Sequence, residues 1–184
     1  MRKNFGAKPF LYPQPVFIIA TYNDDGTADA MNAAWGGISD SNQITMCISA
    51  THRTTRNVLA RGAFTVSMGT ADTVVACDYV GLVSGEKEPA KLDKAGFHAV
   101  KSEFVDAPLI AELPMAVECR LVSFDPESCR MVGEIVNVCA EEGVLTDGKV
   151  DPAKLRPITF DGQNNTYLVL GEKVGDAFSD GLHL

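Results

Sequence analysis

Basic residues are scarce in this sequence: 16 Lys and Arg stand against 24 Asp and Glu in 184 residues, a formal charge of −8. Such a chain repels a polyphosphate backbone, which argues against general nucleic-acid or anionic-membrane binding. Any anion it holds needs a local cationic pocket. Long hydrophobic runs are missing as well. The apolar stretch at residues 16–20 falls short of a secretory core and far short of the roughly 20 residues of a membrane span, so a cytoplasmic protein without a membrane segment is expected. The five cysteines (Cys47, Cys77, Cys119, Cys129, Cys139) are an odd set with no C-x-x-C pair. That pattern offers neither a disulfide framework nor a zinc knot, and they read as reduced core thiols.

Common catalytic signatures are absent too. Without G-x-G-x-x-G, a Rossmann dinucleotide site is not indicated. G-V-L-T-D-G-K at residues 143–149 has Walker A spacing, but Val150 stands where the magnesium-binding hydroxyl belongs, and Asp147-Gly148 reads as a hairpin turn. Ser84, in G-L-V-S-G, lacks the nucleophile-elbow spacing, and the three histidines are scattered without metal-ligand spacing. A hydrolase and a metal centre are both disfavoured.

What remains is ordinary globular material, 46% hydrophobic and 22% charged, read as one domain over residues 1–184. Residues 16–22 follow Pro13 and Pro15 and are apolar on both parities, which describes a strand buried on both faces. Asp25-Gly26 turns the chain into a second strand at 27–35, closed by Gly36-Gly37. Residues 43–50 alternate Ile44, Met46 and Ile48 against Thr45, Cys47 and Ser49, so one face is greasy and the other small and hydroxylic. Residues 51–61 read as a short helix stopped by Gly62, and 64–68 as a strand. A helix is expected at 70–80, capped by Thr70 or Asp72, then a loop at 81–89 and a helical turn at 89–95. Residues 115–124 and 129–140 form a long hairpin across Asp125-Pro126, and 167–170 supply a last strand. About seven strands at short spacing, with only brief helices and no βαβ rhythm, favour a closed or nearly closed antiparallel barrel.

One segment carries a chemical argument: S-A-T-H-R-T-T-R at residues 49–56, a strand end running into a helix start. Free backbone N–H groups, the positive end of the helix dipole, several hydroxyls and two guanidiniums would converge there on a phosphate monoester. The alternative is that Thr51 or Thr54 merely caps the helix while Arg53 and Arg56 face water. A phosphate alone holds little, because its few charge-assisted bonds are comparable with the cost of association. The ligand must also bury something flat. Asn32 and Trp35 offer a polar edge-reader and an aromatic wall, unless Trp35 is simply a core residue.

The proline-led first strand, D-G-T-A-D-A-M-N-A-A-W and T-H-R-T-T-R-N-V-L-A-R-G-A-F-T-V-S together resemble the FMN-binding split-barrel proteins of the flavin reductase and flavoredoxin type. K-L-D-K-A-G-F (91–97), V-D-A-P-L-I-A-E-L-P (105–114), M-V-G-E-I-V (131–136) and Y-L-V-L-G from Tyr167 follow in the same order. The resemblance implies a mainly β (α+β) Greek-key split β-barrel with a few short helices, forming a homodimer with non-covalent FMN near the subunit interface. By that resemblance Asn32 and Trp35 would lie near the isoalloxazine, with Ala33 among the contacts. Ser49, Thr51, Arg53, Thr54 and Thr55, with His52 among them, would surround the ribityl phosphate. Lys94 is a further candidate contact, or an exposed helix lysine. Many relatives place a histidine before the G-E-[IV] strand, where this chain has S-C-R-M and Arg130 offers only its charge. The activity implied is electron transfer from NADH or NADPH through FMN to free flavin or another acceptor. Two alternatives stand beside it: an FMN electron carrier reduced by a partner protein, and a non-redox flavin-binding module.

Overall fold

The computed structural model describes residues 1–183. Its strands and helices alternate unevenly along the chain. The first half runs β1 (Phe17–Tyr22), β2 (Ala28–Ala33), β3 (Gly36–Asp40), β4 (Gln43–Cys47), α1 (Arg53–Arg61), β5 (Ala63–Met68), α2 (Val74–Leu82) and α3 (Lys91–Ala95). The second half runs β6 (Ala99–Lys101), β7 (Pro108–Ile110), β8 (Met115–Asp125), β9 (Arg130–Ala140), β10 (Leu145–Thr146), β11 (Lys149–Val150), α4 (Pro152–Leu155), β12 (Ile158–Asp161) and β13 (Thr166–Val169).

Seven strands make one antiparallel sheet in the order β2-β1-β5-β8-β9-β4-β3. Its two edges, β2 and β3, are consecutive in the chain and joined only by Ala34 and Trp35. The sheet must therefore curl until its edges nearly meet, giving a barrel that is split at Trp35. The fold is the mainly β split barrel the sequence leads one to expect.

Burial follows from that curl. Phe17 and Ile19 point into the barrel with Ile44, Met46, Phe64 and Met131. Ile18 and Ala20 point outward under α2 and α3, against Cys77, Val80, Leu92 and Phe97. This double burial is why β1 is apolar on both parities. The hairpin of β8 and β9 buries Glu118, which is 1% exposed and accepts hydrogen bonds from Ser102 Oγ and, at 2.7 Å, from Asn137 Nδ2.

Three local expectations need correction. Gly36-Gly37 does not close a strand but opens β3, pairing with Met46 and Thr45 of β4 so closely that a Cβ on Gly36 would sit 2.6 Å from the Thr45 carbonyl oxygen. Helix α2 begins later than the cap residues suggest: Thr73 is its N-cap position, Thr70 pairs its hydroxyl with that of Thr73 at 2.9 Å, and the helix runs on through Leu82. The cysteines are not uniformly core. All five are unpaired, but Cys47 is exposed and Cys129 and Cys139 are half-buried. Burial pushes the Cys119 thiol up to about 12, with the neighbouring Glu118 charge adding to it.

A groove from the helix terminus to the barrel split

Two linked compartments run along the split. The narrow one, about 270 Å3, lies between the start of α1, the end of α2 and the loop from Ser84 to Glu86. The wide one, about 280 Å3, lies at the barrel opening between residues 31–35, Cys47, Phe160 and Tyr167. Met31, Asn32 and His52 line both, so the two form one groove.

At the narrow end the first turn of α1 is left open. His52 is the N-cap residue and makes no side-chain cap bond. Within the described residues the N–H groups of Arg53, Thr54 and Thr55 find no acceptor, and the first bonded amide is that of Arg56, to the His52 carbonyl at 3.2 Å. Three unpaired donors and the positive end of the dipole thus mark the helix terminus that borders the cavity, with Arg53 and Thr54 in its wall. Arg53 adds a guanidinium, anchored by donating to the Gly85 carbonyl at 2.5 Å. Arg56 ties the same loop down by pairing with Glu86 and donating to the Thr51 carbonyl.

Beneath these donors lies a buried ion pair. Lys91 Nζ is 3.0 Å from Asp29 Oδ1, with side chains 5% and 3% exposed. Asp29 Oδ2 accepts the Thr54 hydroxyl at 2.7 Å. The loop passes close over this pair, and a Cβ on Gly85 would meet Asp29 Oδ1 at 2.5 Å. Glycine at 85 is therefore a requirement of the close approach.

The wide end is aromatic on three sides. Trp35, 48% exposed, stands at the rim. Phe160 and Tyr167, from the hairpin of β12 and β13, pack with ring centroids 5.9 Å apart. Tyr167 donates to Asp78 Oδ1 at 2.7 Å. Burial, helped by the Asp78 carboxylate, pushes its phenol up to about 12, so it stays a fixed donor. Asn32 donates through Nδ2 to the Cys77 carbonyl at 3.0 Å, which orients its oxygen end.

The groove thus brings together Asn32, Ala33, Trp35, Thr51, His52, Arg53 and Thr54 from the sequence reading. Others fall differently. Thr55 is fully buried and donates to the Ser49 carbonyl at 2.7 Å, so only its backbone N–H belongs to the helix terminus. The Thr54 hydroxyl is likewise spent, on Asp29. Ser49 does not line either compartment; its hydroxyl holds that of Thr51 at 2.9 Å. Lys94 pairs with Glu88 on the surface, and the inward lysine of that helix is Lys91. Asp29, Lys91, Phe160, Tyr167 and the Ser84–Glu86 loop were not singled out by sequence reasoning. Of these, Asp29, Lys91 and Tyr167 lie within stretches that carried the family resemblance. Among the described residues no three His, Cys, Asp or Glu side chains gather in a metal-sized cluster, and no helix is long and apolar enough to cross a membrane.

Fold and groove together define a split-barrel protein with an uncapped helix terminus bordering an aromatic slot. The flavin reductase like domain model matches residues 10–157, and the chain belongs to that family. Flavoredoxin of Desulfovibrio vulgaris (Miyazaki F) is 37% identical, with a TM-score of 0.94 over 98% of this chain and 100% of that one. Flavoredoxin from Methanosarcina acetivorans is 30% identical, with a TM-score of 0.86 over 98% and 97%. An uncharacterized protein of Aquifex aeolicus (strain VF5) is 26% identical over 159 residues, 79% of each chain.

Proposed function

We propose that this chain, as a single domain, binds FMN non-covalently in the groove and works as a redox protein of the flavin reductase and flavoredoxin type. The observation that carries the reading is the uncapped start of α1, with three unpaired N–H groups, at a slot that shares its wall with an aromatic compartment. A phosphate monoester offers three terminal oxygens to those three donors, and Arg53 and the Thr51 hydroxyl stand beside them. The flat ring system fits the wide end, between Trp35 and the pair Phe160 and Tyr167, with the Asn32 oxygen at its edge. Lys91 neutralises Asp29 below the phosphate, which would otherwise repel it. Bound FMN supplies the electron acceptor and donor; the chain's part is placement, exclusion of water and hydrogen bonding.

In this reading NADH or NADPH reduces the protein, which passes electrons to free flavin or another acceptor in the cytoplasm. A homodimer places the split of one barrel against its partner, and the exposed Trp35 and Ile38 at the split are the apolar residues such a contact covers. The electron-carrier reading, with a partner protein as reductant, is favoured by the 37% identity to a flavoredoxin across nearly the whole chain. One experiment separates these. Protein dialysed after FMN addition stays yellow if the groove binds FMN; a colourless product sinks the proposal. Anaerobic bleaching by NADH or NADPH within seconds marks the enzyme, whereas bleaching only by dithionite or a reduced partner marks the carrier.

A further inference from the structure

Helix α2 stands behind the wide compartment and holds two of its side chains from two successive residues. The Cys77 carbonyl accepts Asn32 Nδ2 at 3.0 Å, and Asp78 Oδ1 accepts the Tyr167 hydroxyl at 2.7 Å. One turn further on, the helix presses against β2 so closely that a Cβ on Gly81 would sit 2.8 Å from that of Asn32. The wall of the compartment itself has no Asp, Glu, Lys or Arg. Asp78, half-buried, is one hydrogen bond behind that wall. Among the described residues its carboxylate has no ion-pair partner, and Tyr167 is its one side-chain donor. The phenol, pushed up to about 12, keeps its proton at neutral pH, so the negative charge of the pair stays on Asp78.

We propose that Asp78, acting through Tyr167, is a positioning residue that holds the reduction potential of the cofactor in this compartment low. The inference rests on the flavin reading above. Flavin reduced near neutral pH carries negative charge on a ring that is neutral when oxidised, and a fixed carboxylate one hydrogen bond from the compartment wall opposes that charge. No Lys or Arg in the wall offsets it. Tyr167 decides where the charge sits, because its bond keeps the carboxylate against the compartment and out of the water that would screen it. A lowered couple makes the reduced protein the stronger electron donor.

The potential of the FMN-loaded protein, read from its absorbance against a reference dye during anaerobic dithionite titration, tests this. Asp78→Asn keeps the shape and an acceptor for Tyr167 but removes the charge. At a given state of the dye the ratio of reduced to oxidised flavin rises about tenfold, about 30 mV for a two-electron couple. Asp78→Glu keeps the native ratio. Tyr167→Phe alone raises the ratio by releasing the carboxylate to water, and in that background Asp78→Asn adds no more than about twofold. A native ratio in Asp78→Asn or in Tyr167→Phe overturns the proposal. So does an equal effect of Asp78→Asn in both backgrounds, since the carboxylate would then act without Tyr167. The flavin spectrum reads the groove separately: native protein that takes up no FMN removes the flavin reading and this inference with it, whereas FMN bound with an unmoved couple in the variants removes this inference alone.

Discussion

Replacing Lys91 by methionine keeps most of the side chain's volume and removes its charge. In the native protein Nζ lies 3.0 Å from Asp29 Oδ1 and donates to the Val83 carbonyl at 3.4 Å. Without it, Asp29 keeps a single donor, the Thr54 hydroxyl, in a place water barely reaches. Breaking one side of a buried pair costs about 3–5 kcal/mol, and the surviving Thr54 bond puts this case near the low end. For a domain of this length that corresponds to a fall in Tm of about 6–12 °C. Lys91→Met combined with Asp29→Asn recovers much of the loss, because no bare charge is left behind. A second effect follows at the groove: the uncompensated Asp29 carboxylate then sits beneath the phosphate end. Affinity for FMN falls about tenfold or more relative to riboflavin, which carries no phosphate. Urea unfolding followed by circular dichroism and equilibrium flavin titration measure the two effects. A loss of stability below about 1 kcal/mol, the scale of an exposed pair, refutes the buried-pair account. Equal weakening of FMN and riboflavin refutes the placement of the phosphate.

Other expectations are simpler. Arg53→Ala removes one charged contact, of about 1.5–3 kcal/mol, from FMN binding and leaves riboflavin binding nearly as it was; fluorescence titration with both ligands decides. Glu118→Ala strands Ser102 and Asn137 in the barrel wall and lowers stability by about 2–4 kcal/mol, while Glu118→Gln loses less; chemical denaturation shows whether that order holds. Asp161 accepts the Tyr12 hydroxyl at 2.5 Å, and that bond, with one from Asn164, holds its carboxyl down at about 2 against an ordinary 3.8. The stability this lends is present above pH 3.8 and lost as pH falls toward 2. Tyr12→Phe therefore moves the acid-unfolding limb to higher pH, and an unmoved limb would count against it. His98 is raised by its hydrogen bond to Glu112. Its contribution is full below pH 6.5 and fades as pH rises past the raised value; Glu112→Gln returns the imidazole titration, followed by NMR, to its ordinary position.

Much of the barrel was legible in the sequence because strand burial leaves a periodic mark. The alternation of Ile44, Met46 and Ile48, and the double-sided apolarity of β1, arise from the faces these strands bury, and the structure bears both out. The start of α1 was legible too, from hydroxyls before an apolar turn and Gly62 after it. Which of those hydroxyls stay free was not. Thr54 and Thr55 differ from Thr51 only in which neighbours the helix is pressed against, and those neighbours, Asp29 and the Ser49 carbonyl, are set by packing. The same holds for the lysines of α3. Lys91 and Lys94 sit three residues apart in one short helix, and no local rule says which turns inward. Leu92, packed with Phe97 against α2 and β2, fixes the helix's rotation and sends Lys91 to Asp29.

By itself, then, the sequence settled the strand pattern, the position of the helix start after β4 and the family, since each is written in neighbouring residues or in motifs kept in order. Tertiary structure alone decided the rest of the groove. It curled the sheet so that its edges β2 and β3 flank the split at Trp35, and brought Phe160 and Tyr167 from the far end of the chain to that split. It also set an acid under a lysine beneath the helix terminus. Contacts between residues so distant in sequence depend on how the whole sheet curls, and short-range spacing holds no record of that.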